Sequence, residues 1–186
     1  MKKQTNTDQP EPKDRKKEIL EWLQIIIAAA VIAFCLNTFV VANSRVPSAS
    51  MENTIMSKSR VIGSRLSYLT SDPERGDVVI FHFPDDPTGK IYYVKRVIGL
   101  PGETVSVVDG KVYINDSDTP LDEPYLPEPM EGSYGPYTVP EGCYFMMGDN
   151  RNNSLDARFW KNQFVEKDKI IAKVLFTYFP KIEKVE

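Results

Sequence analysis

Apolar positions along this chain fall into two regimes. Residues 23–42 form an almost unbroken apolar run of 20 residues, with Gln24, Asn37 and Thr38 as its only clearly polar members. As a helix such a run is about 30 Å long, the thickness of a bilayer's hydrocarbon core. No polar face recurs in it at helical spacing, which argues against the core helix of a soluble domain. After residue 43 the pattern changes to short apolar runs of period near two, broken by Gly, Pro, Asp and Asn. This predicts strands over residues 77–83, 91–98, 103–108, 111–114, 144–147 and 170–178. Asp109-Gly110, between two alternating runs, is a hairpin turn signal. No helical stretch of comparable length follows. The expected fold class is mostly β: an antiparallel, barrel-like sheet domain behind one N-terminal transmembrane helix.

The flanks orient the apolar run. Residues 1–18 are polar and contain Lys13, Arg15, Lys16 and Lys17, whereas only Arg45 lies close behind the run. The positive-inside rule then assigns residues 1–22 to a cytoplasmic tail, 23–42 to a membrane anchor and 43–186 to an extracytoplasmic domain. The rival reading is a cleavable signal peptide, since Val40-Val41-Ala42 has small residues spaced for cleavage after Ala42. The long polar lead favours the anchor, as does an apolar run beyond the usual signal core of about 7–15 residues.

Residues 115–142 include Pro120, Pro124, Pro127, Pro129, Pro136 and Pro140, too many for central strands, so this block is expected to loop over the surface. Eight acids and no Lys or Arg lie between Lys111 and Arg151. Such a run is more often solvated than substrate-facing. The net charge of −3 disfavours nucleic acid as a partner. Cys35 and Cys143 make no disulfide framework, and with one histidine the chain has too few soft ligands for a zinc site. No metal or cofactor is expected.

Candidate chemistry centres on a serine and a lysine. Ser50 lies in Val46-Pro47-Ser48-Ala49-Ser50-Met51, where a chain leaving the membrane would enter a sheet. A serine in a loop is commonly a turn or cap residue, and it attacks a carbonyl only if a neighbour takes its proton. In an extended segment Ser48 points the same way, within reach of an oxyanion formed at Ser50. Lys95 interrupts the strand pattern of Tyr92-Tyr93-Val94-Lys95-Arg96-Val97-Ile98. On that pattern alone a lysine reaching water from an edge strand is the commoner case. If buried, its amine loses affinity for a proton and becomes a base, which the neighbouring Arg96 cannot do. The segment 148–158 is dense in side chains that bond their own backbone. Within it Asp156 and Arg158 can pair on one face, and Ser154 can hold a lysine amine. His82, the sole histidine, would have to serve any Ser–His–Asp triad. It sits inside an apolar strand pattern, and no Gly-x-Ser-x-Gly elbow surrounds Ser50. Asn115-Asp116-Ser117 and Asn152-Asn153-Ser154 match a glycosylation pattern that matters only in a eukaryotic secretory pathway.

Four segments together resemble the boxes of bacterial type I signal peptidases, or leader peptidases. They are Pro47 through Met51, Gly76 through Phe81, Tyr93 through Glu103 and Gly148 through Arg158, in that family's order and after an N-terminal anchor. The resemblance spans roughly residues 20–178. It implies Ser50 as nucleophile and Lys95 as general base. It also implies Ser48 as the oxyanion donor, Ser154 as the residue orienting the lysine, and Asp156 with Arg158 as a supporting ion pair. Val46, Met51, Ile55, Tyr93 and Val94 fall where the family builds pockets for small side chains. Two departures stand out: Glu52-Asn53-Thr54 follows Met51 where the family often has x-Pro-Thr, and Asp156-Ala157-Arg158 replaces Asp-Ser-Arg.

The expected function is that of a membrane-anchored serine endopeptidase that cleaves signal peptides from exported preproteins after small residues. Its implied partners are preproteins, the lipid bilayer and the secretion translocon. It is expected in the cell membrane as a single-pass protein. Two other readings are a self-cleaving repressor-type Ser/Lys protease, against which the anchor argues, and a non-catalytic sheet displaying the proline-rich loop.

Overall fold

The computed structural model describes residues 15–185, in two compact units that divide between residues 37 and 38. Helix α1, Arg15–Cys35, is continued by one π turn, Leu36–Val40. Together these 26 residues are long and apolar enough to cross a membrane, and no side chain of α1 is buried. Residues 1–14, including Lys13 of the basic cluster, lie outside the described residues. Residues 15–22 of the expected tail already belong to the helix. The apolar run also outlasts the helix. Its last two residues, Val41 and Ala42, open strand β1, Val41–Val46, which pairs antiparallel with β2, Ser59–Ser64. An apolar run suits either element, and pairing with β2 decides between them here.

The second unit continues with β3 (Val78–His82), β4 (Tyr92–Gly99), β5 (Thr104–Val108), β6 (Lys111–Ile114), β7 (Tyr134–Thr138), β8 (Cys143–Met147), β9 (Phe164–Glu166), β10 (Ile170–Phe179) and β11 (Glu183–Lys184). The large sheet has the order β1-β2-β10-β3-β4-β8-β9, with β11 added to β10, and a small sheet has the order β6-β5-β7. Every pairing is antiparallel. The fold is therefore the mostly β antiparallel class the sequence predicts, with one apolar N-terminal helix.

Residues Val78 to Phe81 of β3 are all buried because both faces of the large sheet are covered. Val79 and Phe81 face a core shared with Val97, Phe145, Met147 and Trp160, together with Val105, Val107 and Val112 of the small sheet. Val78 and Ile80 face a second core with Val46, Met51, Ile55, Val61, Val94 and Val174. Coverage on both sides explains why β3 reads as a continuous apolar run rather than an alternating one.

Five strands are absent from the sequence expectation: β1, β2, β7, β9 and the two-residue β11. In β2 the inward positions include Ser59 and Gly63, so its alternation carries little apolar signal. Strand β7 lies inside the proline-rich block expected to be a surface loop. It pairs only with β5, and at an edge the missing N–H of Pro136 need not break a ladder. Strand β9 has three residues, too few for a pattern to register.

The Asp109-Gly110 turn joins β5 to β6, with φ of 48° and 76° at its two residues and Val108 opposite Lys111. A Cβ on Gly110 would run into the Met130 carbonyl. Gly110→Ala is expected to lower stability by at least about 1 kcal/mol, measured by urea unfolding of the detergent-solubilised chain.

Candidate active site

Strand β1 delivers the chain to the turn that carries Ser50. Met51 and Ile55, both fully buried in the second core, pin this turn from below, and Ile55 N–H donates to the Met51 carbonyl at 2.7 Å. From the other side the segment 148–158 grips it. Asn150 N–H donates to the Ser50 carbonyl at 3.1 Å, and Asn150 Nδ2 donates to the Ala49 carbonyl at 3.1 Å.

Lys95 sits in the middle of β4 opposite Val79, and only 3% of its surface is exposed. Its Nζ lies 2.5 Å from Ser50 Oγ, across 45 positions of sequence. Burial pushes this amine down to about 8; the Asp156 and Asp149 carboxylates pull the other way, and the Arg158 cation pushes it down further. A neutral amine at this distance can accept the hydroxyl proton. The commoner fate of a strand lysine, snorkelling to water, is not the one found here.

The remaining expected residues gather around this pair. Ser48 Oγ is 3.2 Å from Ser50 Oγ. Asp156 and Arg158 form a buried ion pair at 2.8 Å. The Gly148 N–H donates to Asp156 Oδ2 at 3.0 Å, and Arg158 Nη2 donates to the Arg151 carbonyl at 2.7 Å. Ser154 is buried, and its Oγ has no hydrogen-bond partner among the described residues. Gly148 makes room for it: a Cβ there would lie 2.7 Å from Ser154 Cβ and would run into both Ser154 Oγ and the Ser50 carbonyl.

A cleft of about 740 Å³ opens over the pair, walled in part by Val46, Pro47, Ser48, Tyr93, Val94 and Ser154. Of the expected pocket residues, Val46, Tyr93 and Val94 line it, while Met51 and Ile55 pack in the core. His82 lines a different cleft, of about 900 Å³. Its Nδ1 lies 2.7 Å from the Gly89 carbonyl and its ring packs on Tyr92, so it makes no bond to Ser50.

Sequence reasoning missed a buried charge cluster beside the site. Arg96, next to Lys95, donates from Nε at 2.8 Å and from Nη2 at 2.6 Å to the two carboxylate oxygens of Asp149. Thr54, in the Ser50 turn, donates to Asp149 Oδ2 at 2.5 Å. The Tyr125 ring lies 3.9 Å from the Arg96 guanidinium. The Arg151 guanidinium donates to both oxygens of Glu123, at 3.0 and 2.5 Å. Glu123 and Tyr125 come from the acidic, proline-rich block, so that run is not simply solvated: part of it neutralises a buried arginine. The available signal was Arg96 itself, since an arginine in an apolar strand must find a partner. Its partner lies 53 positions away, beyond any local pattern.

A family model described as signal peptidase, peptidase S26, matches residues 19–179. The probable signal peptidase I-2 of Synechocystis sp. is 38% identical over 165 residues, covering 86% of this chain and 74% of that one. The signal peptidase I of Leptolyngbya laminosa is 36% identical over 184 residues, covering 95% and 89%. A solved signal peptidase I from Enterococcus faecalis V583 is 33% identical, with a TM-score of 0.45, over 55% of this chain and 97% of that one. The class is thus that of peptidases. Within it, the chain belongs to the signal peptidase family, peptidase S26.

Two stability outcomes follow from the buried charges. Glu123→Ala leaves the Arg151 cation buried and unpaired, and is expected to cost about 3–5 kcal/mol in urea unfolding. Lys95 binds its proton in the unfolded chain up to about 10.5 but releases it near 8 when folded, so its burial penalty is full below pH 8 and fades towards 10.5. Lys95→Met is therefore expected to stabilise the fold at pH 7 by about 3 kcal/mol. That advantage should shrink as unfolding is repeated at rising pH.

Proposed function

We propose that this chain is a membrane-anchored endopeptidase that removes signal peptides from exported preproteins, with Ser50 as nucleophile and Lys95 as general base. The observation that carries this reading is the 2.5 Å approach of a buried amine, its proton affinity lowered by burial, to the Ser50 hydroxyl at the floor of a cleft. Family membership supports the choice of substrate.

The preprotein would lie extended, adding its backbone to a strand edge near Ser50. Val46, Tyr93 and Val94 would shape shallow pockets for small side chains, with Met51 and Ile55 setting their depth from behind. Ser50 Oγ attacks the scissile carbonyl carbon as its proton passes to Lys95 Nζ. The oxyanion is met by Ser48 Oγ and the Ser50 backbone N–H. The C–N bond then breaks, and Lys95 returns the proton to the leaving amine. Water, deprotonated by the same amine, attacks the ester carbonyl; the acyl C–Oγ bond then breaks and Lys95 passes the proton to Ser50 Oγ, which restores both groups. Ser154 Oγ, buried beside the cleft without a hydrogen-bond partner among the described residues, would hold the lysine amine, and the Asp156–Arg158 pair would stiffen the segment that carries it.

The N-terminal helix would anchor the chain in the cell membrane, N-terminus in the cytoplasm and peptidase domain outside. Retention of that segment is favoured because Ala42 is buried within β1 opposite Gly63, so cleavage after it would sever a sheet strand. Anchoring raises the effective concentration of membrane-emerging substrates without new contacts, and the translocon would be the neighbouring partner.

Ser50→Ala and Lys95→Ala should each lower cleavage of a preprotein by at least about a thousandfold, followed by N-terminal sequencing of the product. His82→Ala should leave cleavage intact; loss on that substitution with Lys95→Ala still active would sink the assignment. The rate constant kcat/KM should rise about tenfold per pH unit and level off above about 8, because only the neutral amine acts.

A further inference from the structure

The cleft wall carries one permanent charge that the chemistry just described does not use. Arg45, the penultimate residue of β1, lines the cleft and is exposed to solvent. Directly across the ladder stands Arg60 of β2, also exposed. Residues opposite one another in an antiparallel pair point to the same face, and like charges so placed repel. Neither guanidinium has an ion-pair partner among the described residues. Lys58, exposed at the entry to β2, adds a third cation to the same hairpin, whose single acid, Glu52, accepts from the Ser57 N–H. By contrast, the buried arginines 96, 151 and 158 each hold a carboxylate. Apart from Lys95, no other cleft-lining side chain is ionisable below the tyrosine range.

Strand β1 pairs with β2 alone in the sheet order, so its outer edge is open to an added strand. A substrate laid there in extended form brings a residue a few positions from the scissile bond beside Arg45. Resting on the reading of this cleft as the preprotein site, we propose that Arg45, supported by Arg60, is a specificity residue that favours substrates with an acidic side chain at that position and disfavours those with a basic one. An arginine fork matches a carboxylate, and a second cation across the ladder raises the local positive potential felt by the incoming chain. The attraction is exposed, so it is modest and salt-sensitive.

The test uses the full chain in neutral detergent and a set of cleavable peptides. These are identical except for Glu, Gln or Lys placed in turn at each position within about six residues of the scissile bond. At one or more positions the wild type should cleave the Glu peptide about tenfold faster than the Lys peptide in kcat/KM at low salt, with the ratio shrinking as salt is added. Arg45→Ala should flatten the ratio and Arg45→Glu should invert it. Because each ratio is taken within one protein, partial misfolding does not alter it. An equal Glu/Lys ratio in all three proteins overturns the proposal. So does an effect of Arg45→Ala confined to binding of phosphatidylglycerol vesicles, which would assign the patch to lipid headgroups. Wild-type chain that cleaves none of the peptides refutes the function itself and this inference with it; cleavage without charge preference refutes the inference alone.

Discussion

A lysine amine buried against a serine hydroxyl is the constraint around which this domain is arranged. In water the amine would keep its proton at neutral pH. Inside the fold it gives up part of that affinity because burial removes the solvation of the charged form. The amine is held at bonding distance by two independent supports. One is β4, whose neighbours β3 and β8 fix its register. The other is the turn after β1, plugged into the core by Met51 and Ile55. Loosening either support admits water, and water raises the amine's affinity for its proton again.

The carboxylates nearby show how finely this interior is balanced. Asp149 and Asp156 both favour the charged lysine, against the larger opposing effect of burial. Each is engaged by an arginine, Asp149 by Arg96 and Asp156 by Arg158. These pairs also tie distant stretches of chain together, since Asp149 collects Thr54 from the Ser50 turn and Arg96 from β4. A buried ion pair is weak evidence for net stability, but removing one partner is costly. The network therefore resists partial change, which suits a site that needs fixed geometry more than maximal stability.

Legibility in the sequence followed how local each signal was. The Asp109-Gly110 hairpin and the apolar runs of β3, β4, β8 and β10 are stated by neighbouring residues, and their strands appear close to where the pattern places them. Strand β2 hid because Ser59 and Gly63 fill inward positions, and β7 hid behind Pro136 in a block whose composition reads as loop. The acidic run was read as solvated because composition cannot distinguish a carboxylate facing water from one facing Arg151. Ser50, Lys95, Ser48, Asp156 and Arg158 stood out as chemistry-bearing residues, partly through resemblance to a family. The involvement of Glu123, Tyr125 and Thr54 had no such mark.

By itself the sequence determined the division into an apolar helix and a mostly β domain, and it singled out a hydroxyl and an amine as candidate reacting groups. Both rest on short-range physics: the length of an apolar run against bilayer thickness, the period of alternation, and the intrinsic chemistry of a hydroxyl and an amine. Only the tertiary structure decided that Lys95 is buried rather than snorkelling, that its amine meets Ser50, and that His82 belongs to another cleft. Proton affinity depends on what surrounds a group in space, and those surroundings are assembled from segments that lie far apart along the chain.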